Sequence, residues 1–429
     1  MFASKAGTGG VGCVLATLLL PWCAAAAMPP EAQGPAQVAS GAEAAGPVEV
    51  PPASAQALRY YHSGNIIWAV EQALSLLLPA LIVFTGLSAK LRDLASHAAR
   101  GHFYPTLVIY LALLSVLLFV IQLPLDYYVG FVREHTYGLS GQTLSKWAGD
   151  RGKELGLGIV IGALVLWVPY WLLRKSPQGW WLWTGLLALP FYLLTQFAVP
   201  LWIAPLFNKF GPMKNHQLEN EVLATARQAG VEGARVFEVD KSVDTNKVNA
   251  YVTGIGSTKR IVLWDTLLAR LKPAQIKFVV GHELGHYVLG HVWTSIILSW
   301  LLTLLGLFGA HRLASYLLLH FGARMGTSRL DDVASLPLLM LLLALFSLVI
   351  SPATLAFSRY HERAADRFAL ALTHDNRAAA TAFISLQQQN LAVPRPGLWF
   401  KFFRASHPPI GERVDSVNNY HPWAASGGH

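Results

Sequence analysis

The sequence predicts a predominantly α-helical protein that crosses a membrane several times and carries one small α+β insert. The first observation is composition: 53% of the 429 residues are hydrophobic and only 13% are charged, whereas soluble proteins carry about 25% charged residues. The second is that the apolar residues form six runs, each near or above the roughly 20 residues that span a bilayer as a helix. The third is a single polar insert between the fourth and fifth runs.

The first 27 residues have the pattern of a secretory signal peptide. Lys5 precedes an apolar run at 11–20, and four alanines follow at 24–27. An uncleaved signal anchor is the alternative. Residues 28–60 are rich in Ala and Pro and lack the apolar residues needed for a core, so they are predicted to be a disordered leader.

The six apolar runs divide the rest of the chain. Four predicted membrane helices fall within 61–204 and two within 292–357, and a segment at 358–417 returns to the polar insert, followed by a tail at 418–429. We place the six spans at 66–87, 103–125, 155–173, 180–203, 292–319 and 333–357.

The insert at 205–291 alternates helical and extended patterns. Residues 215–229 are charged and helical, and strands are predicted at 234–239, 247–252 and 260–264. A helix then begins near Pro273, because proline is favoured at the first helical position.

The predicted helix carries the motif H-E-x-x-H at 282–286. On a helix, His282 and His286 lie one turn apart and point from the same face, so two imidazoles converge on one point. Zinc binds neutral imidazole nitrogens, and Glu283 beside them can act as a general base toward water. Three polar residues on a helix surface by chance are the alternative, which a third ligand would exclude.

A second pair of side chains supplies that third ligand. Glu362 and Asp366 are spaced i, i+4, so on a helix they share a face. Glu362 fits a glutamate ligand, and Asp366 fits the carboxylate that orients a ligand histidine through its other ring nitrogen. A juxtamembrane helix with solvated carboxylates is the alternative. The only cysteines are Cys13 and Cys23, so we predict one zinc ion held by two histidines and one glutamate, with a fourth position open.

Three further histidines are candidates for the site. His291 is nine residues from His282, about 180° around a continuous helix, so we expect it to face away from the metal. His361 is about 100° off the face of Glu362, which favours a supporting or substrate-side role. His407 stands in a short Pro-rich turn, where it could stabilise an oxyanion or simply pack in a loop.

Taken together, these motifs give the chain a family resemblance. The chain resembles the type I CAAX prenyl endopeptidases, integral-membrane zinc metalloproteases, over residues 60–417. The matching motifs lie at 123–128, 205–210, 249–251, 259–267, 282–286, 358–366 and 406–408.

The resemblance implies a bundle of transmembrane helices around a large chamber, capped by the zinc domain. His282, His286 and Glu362 match the family's metal ligands, and Glu283 matches its base. Asp366 matches the residue that orients a ligand histidine.

Other matched positions imply contacts with the substrate. His407 and Arg413 fall on positions that line the substrate, and Asn249, Ala250 and Tyr251 match the edge strand on which the substrate backbone pairs. The family typically has seven spans, so the N-terminal part departs from its pattern.

We therefore predict a membrane-embedded zinc metalloendopeptidase. The resemblance implies removal of the C-terminal tripeptide from prenylated CaaX proteins. The signal-like segment favours a bacterial envelope and a quality-control endopeptidase of broad specificity as the alternative. A non-catalytic chamber that binds lipidated or apolar polypeptides is an alternative of another class, although it would not need Glu283.

The predicted partners are a polypeptide substrate, which could be lipidated, and the lipid bilayer, and we expect a monomer. The net charge of +9 reflects loops at the inner face of a membrane, and no nucleic-acid partner is expected. The loops 88–102, 174–178 and 320–332 carry seven Lys and Arg residues on one side of a six-span bundle. They place the zinc site on the other side, the periplasm of a bacterial inner membrane, although cations at 126–154 argue the opposite.

Overall fold

The computed structural model describes residues 46–254 and 258–421, and this part of the chain has six helices long and apolar enough to cross a membrane. The predicted fold class is confirmed, and each of the six predicted spans overlaps one of these helices. The signal-like segment at 1–27 and residues 422–429 of the predicted tail lie outside the described residues. The spans are Ala55–Phe84, Phe103–Thr136, Leu144–Lys175, Trp180–Leu206, His291–Met325 and Val333–Thr373.

The first half of the bundle contains four of these spans and one helix between them. Short π-helical stretches at Tyr128–Val132 and Val199–Ile203 continue two of the spans toward the insert. The helices are α1 (Ala55–Phe84), α2 (Leu87–Ala98), α3 (Phe103–Tyr127), α4 (Arg133–Thr136), α5 (Leu144–Lys175) and α6 (Trp180–Ala198).

The insert folds into a four-stranded sheet with three helices, as the sequence predicts apart from the short strand Phe210–Pro212 and the short helix Asp265–Arg270. Apolar residues fill β4 on both faces and are buried, which makes it an inner strand. The strand order is β1-β2-β4-β3, with β2 parallel to β4 and the other pairs antiparallel. The elements are β1 (Phe210–Pro212), α7 (His216–Gln228), β2 (Arg235–Val239), β3 (Ala250–Thr253), β4 (Arg260–Trp264), α8 (Asp265–Arg270) and α9 (Pro273–Val288).

The last two spans are followed by three short helices. The helix α11 has 38 residues, roughly 57 Å at 1.5 Å per residue, so it continues well beyond a hydrocarbon core of roughly 30 Å. These elements are α10 (His291–Met325), α11 (Leu336–Thr373), α12 (Asn376–Gln389), α13 (Leu398–Phe403) and α14 (Ile410–Asn419).

The end of the predicted disordered leader, just before α1, differs from the prediction, while residues 28–45 of that leader lie outside the described residues. Residues 46–54 are extended, and the backbone N–H and C=O of Val48 pair with the Asn418 side chain at 3.2 and 2.9 Å. Ser54 caps α1 by accepting from Ala57 N. Residues 46–60 therefore depart from the prediction, because contacts with α14 at the far end of the chain hold them. These contacts also place the start of α1 on the same side of the bundle as α14.

Close packing of α9 against α11 depends on glycine. A Cβ added at Gly285 would lie 3.2 Å from the Ala365 Cα and 3.1 Å from Phe368 Cδ1, whereas one at Gly281 would meet nothing closer than 3.5 Å. The distance at Gly281 is an ordinary van der Waals contact. At Gly285 a methyl group would push the two helices apart.

We expect G285A to destabilise the protein while G281A does not. Both changes favour the helix by up to about 1 kcal/mol, so the pair isolates the packing contact. Overpacking should cost G285A roughly 1–3 kcal/mol. Thermal unfolding of both variants in the same detergent measures the difference, and equal midpoints would contradict the packing account.

Candidate metal centre and active site

Three side chains from two packed helices converge on one point. His282 and His286 come from α9 and Glu362 from α11, and one donor atom from each lies within 4.8 Å of the others. The two Nε2 atoms are 3.1 Å apart. Glu362 places Oε2 3.2 Å from His282 Nε2 and Oε1 3.3 Å from His286 Nε2. The structure thus brings the three predicted metal ligands together.

The start of α9 sets the orientation of the two histidines. Pro273 is the first helical residue, and the Gln275 side chain accepts from the Lys272 backbone N–H at 2.9 Å. From this start, the i, i+4 spacing turns His282 and His286 toward α11. The predicted helix start is confirmed.

The donor set fits a metal ion. The Nδ1–H of His282 donates to Asp366 Oδ1 at 2.8 Å, so in the neutral ring Nε2 carries a lone pair that faces Glu362. Glu362 Oε2 is buried and has no hydrogen-bond partner among the described residues. Burial alone would lower the pKa of His282, but Glu362 and Asp366 raise the pKa to about 10. Lone pairs that face each other in this way favour a cation between them.

Arg413 hydrogen-bonds to Asp366. The Arg413 guanidinium donates from Nε to Asp366 Oδ2 at 2.8 Å and from a second nitrogen to Oδ1. Both side chains are buried. The structure therefore places Arg413 on Asp366, where the resemblance suggested contact with the substrate. A bidentate pair of this kind fixes the plane of the carboxylate, and with it the orientation of His282.

His407 lies at the edge of the ligand cluster. Its Nε2 is 3.3 Å from Glu362 Oε2, and its Nδ1 is 2.9 Å from the Ser406 hydroxyl. Burial lowers the pKa of His407 to about 4, so the imidazole is neutral at pH 7. The loop between α13 and α14 therefore brings the predicted histidine to the site.

Glu283 is next to the ligands on α9 and partly buried. Burial raises the pKa of its carboxyl, which increases its affinity for a proton. A carboxylate of this kind suits a general base.

His291 differs from its predicted position. α9 ends at Val288, Gly290 adopts φ 69°, and the new helix α10 begins at His291. The chain therefore reverses before His291, and the ring returns to the ligands, with its Nδ1 3.0 Å from His286 Nδ1. The prediction that it faces away was wrong because it assumed one continuous helix. His361 stacks on His291 with centroids 4.0 Å apart and supports it rather than joining the ligands.

The strand β3 is at the edge of the sheet, paired with β4. The side chains of Ala250 and Tyr251 are buried in the core beneath α9, and the backbone C=O of Asn249 accepts from Trp264 N at 3.2 Å. An extended peptide can therefore pair with the backbone of β3 along the free edge of the sheet, but it cannot contact these buried side chains.

The fold and the site together define a class of protein, the membrane metalloproteases. Its features are a helical membrane bundle, an H-E-x-x-H helix, a glutamate from a segment far along the chain and an aspartate hydrogen-bonded to the first histidine. Two family profiles match in sequence along the chain. Residues 53–209 match the CAAX prenyl protease N-terminal region, described as five membrane helices, and residues 212–421 match peptidase family M48.

Similar proteins agree with this class. The chain is 36% identical over 360 residues to the uncharacterized metalloprotease YhfN of Bacillus subtilis, covering 84% of each chain. It is 30% identical over 324 residues to CAAX prenyl protease 1 of Saccharomyces cerevisiae, covering 72% of this chain and 71% of the yeast protein. The crystal structure of S. mikatae Ste24p matches with a TM-score of 0.72 at 26% identity, over 84% of this chain and 87% of the other.

The chain belongs to the CAAX prenyl protease family of M48 peptidases. It is an integral membrane metalloprotease, and its substrates are polypeptides. The family resemblance inferred from the sequence motifs is confirmed.

Proposed function

We propose that the protein is a zinc endopeptidase whose metal is held by His282, His286 and Glu362. The observation that carries this proposal is the convergence of the three donor atoms, with the buried Oε2 of Glu362 left without a hydrogen bond. Two imidazoles and one carboxylate form a donor set that zinc accepts in hydrolytic sites.

A bound zinc ion supplies a Lewis acid that polarises the scissile carbonyl and makes water more acidic. Glu283 takes a proton from the attacking water and later delivers it to the leaving amine. Asp366 and Arg413 hold the ring of His282 in one orientation through the hydrogen bonds described above.

His407 stabilises the oxyanion that develops on the substrate. When Nδ1 accepts from the Ser406 hydroxyl, 2.9 Å away, Nε2 carries the proton and can donate it in a hydrogen bond. The neutral ring thus offers one directed donor beside Glu362.

The substrate lies extended along β3, adding a strand to the edge of the sheet. The core packing of Ala250 and Tyr251 implies that recognition here is by backbone hydrogen bonds and is tolerant of sequence. Relatives bear the name CAAX prenyl protease, so we propose removal of the C-terminal tripeptide from prenylated CaaX proteins. The signal-like pattern at 1–27 favours a broader envelope endopeptidase as the second candidate.

Substitution of the proposed ligand His282 and of the proposed base Glu283 should have different effects on zinc content and activity. H282A should lose most of the bound zinc together with activity, because it removes one of three protein ligands. E283Q should keep zinc at one ion per chain and lose turnover, because an amide cannot take the proton. Zinc content by elemental analysis and cleavage of a peptide library by the purified proteins measure both effects.

Full zinc in H282A would contradict the ligand assignment. Turnover of E283Q equal to that of the wild type would contradict the role of the base. The cleavage products of the wild type also discriminate the two substrate classes, since release of C-terminal tripeptides alone supports the CaaX activity.

The role of His407 predicts a specific loss in kcat. H407N should retain zinc and lower kcat by about 10²–10³, the usual effect of removing one oxyanion donor. Kinetics on a single cleavable peptide, with zinc content measured on the same sample, check this expectation. An unchanged kcat would leave His407 with a packing role in its loop.

We also propose that the zinc site faces the periplasm of a bacterial inner membrane. The cations in the 126–154 segment, which oppose this orientation, are paired within the protein: Arg133 is buried beside Glu134, and Lys146 contacts Asp150 at 2.6 Å. Cations of the opposite loops are paired as well, for example Arg92 with Asp332 and Arg329 with Asp331, so the argument rests on number: seven cations in those short loops against four in 126–154. Those loops carry Lys90, Arg92, Arg100, Arg174, Lys175, Arg324 and Arg329.

A reporter fused after Val417 tests the orientation. Alkaline phosphatase, which is active only outside the cytoplasm, should be active there. The matched control is the same reporter placed in the 174–178 turn, which should be inactive. Activity at the turn and none after Val417 would reverse the orientation.

A further inference from the structure

The turn between α9 and α10 places the imidazole of His291 against His286, one of the two histidines proposed as metal ligands. Gly290 adopts the left-handed conformation, φ 69°, which favours glycine. The chain reverses there, so His291 begins α10 while His286 is in the last turn of α9. The two rings meet edge to face, with centroids 5.0 Å apart.

The two nitrogen atoms of His286 face different neighbours. Its Nε2 faces the ligand cluster, 3.3 Å from Glu362 Oε1, and its Nδ1 lies 3.0 Å from His291 Nδ1. A neutral imidazole that gives the lone pair of Nε2 to a metal carries its proton on Nδ1. That proton needs an acceptor, and the lone pair of His291 Nδ1 is at hydrogen-bonding distance.

The ring of His291 is itself held in place. Its side chain is buried, and it stacks face to face on His361 with centroids 4.0 Å apart and planes 4° apart. His361 in turn lies 3.4 Å from the Thr294 hydroxyl through Nε2. This stack comes from α10 and α11, so both helices fix the acceptor that faces His286.

We propose that His291 is the positioning residue of the metal ligand His286, accepting its Nδ1–H as Asp366 accepts that of His282. The inference rests on the proposed metal site and extends it. Hydrogen bonds of this kind fix the tautomer and the ring orientation of a ligand histidine, and their loss typically lowers metal affinity about 10–100-fold. The two ligands then differ, because a carboxylate holds one and a neutral imidazole holds the other.

Two substitutions of equal size separate the hydrogen bond from packing. In H291N the side-chain oxygen can occupy the position of Nδ1 and accept the bond, whereas H291L has the same shape and no acceptor. Zinc affinity, measured by competition with a chromogenic chelator on the purified full-length protein, should fall about 10–100-fold in H291L. It should stay near the wild-type value in H291N.

A control pair of variants and a second readout make the measurement specific. H311N and H311L form the matched control, because His311 is on the same helix and accepts from Trp180 Nε1 at 3.1 Å, away from the site. Zinc affinity should be unchanged in both. Cobalt-substituted protein gives a second readout, since its visible absorption should shift in H291L and not in H291N.

Equal zinc affinities in H291N and H291L would overturn the proposal, whether both fall or both are retained. If H291L does not fold, H291F replaces it, because the phenyl ring keeps the stack on His361 and lacks the acceptor. A wild-type protein that binds no zinc would instead refute the proposed function, so the two failures are distinguishable.

Discussion

The site depends on the close contact between α9 and α11. The proposed metal ligands come from both helices, and neither helix alone holds more than two of them. Gly285 allows the backbone of α11 to approach until the Ala365 Cα is within 3.2 Å of the Cβ position. At this separation Glu362, one turn before the contact, reaches both histidines. A hydrophobic core under the sheet supports α9 from its other side, so the fold of the insert serves to hold one face of this helix against the bundle.

The charges around the site follow from burial. Two carboxylates, Glu362 and Asp366, lie one turn apart in a buried environment, where isolated charges are costly. Arg413 neutralises Asp366, because two of its guanidinium nitrogens donate to the two carboxylate oxygens. Among the described residues, no Lys or Arg lies as close to Glu362, since Arg413 is 3.9 Å from it and its nearer neighbours are the histidines His282, His286 and His407. This asymmetry favours the proposed roles, with Glu362 as a metal ligand and Asp366 as the residue that orients His282.

Much of this architecture was predictable from the sequence because its signals are local. The six apolar runs, the proline at the start of α9 and the i, i+4 pairs depend only on residues near one another in the chain. Contacts between distant segments were not predictable, such as Val48 on Asn418 or Arg413 on Asp366, since no local pattern encodes them. His291 is an intermediate case: Gly290 is a common signal for the end of a helix, and it would have indicated the reversal that the assumption of one helix concealed.

A crystal structure of the zinc-loaded protein, with anomalous difference density at the zinc edge, tests the central claim most directly. The account predicts one peak bonded to His282 Nε2 and His286 Nε2 at about 2.0–2.1 Å and to a Glu362 oxygen at about 2.0–2.2 Å. His291 should be hydrogen-bonded behind the ligands. A peak that is bonded to His291 or His407, or that lacks Glu362, would contradict the account.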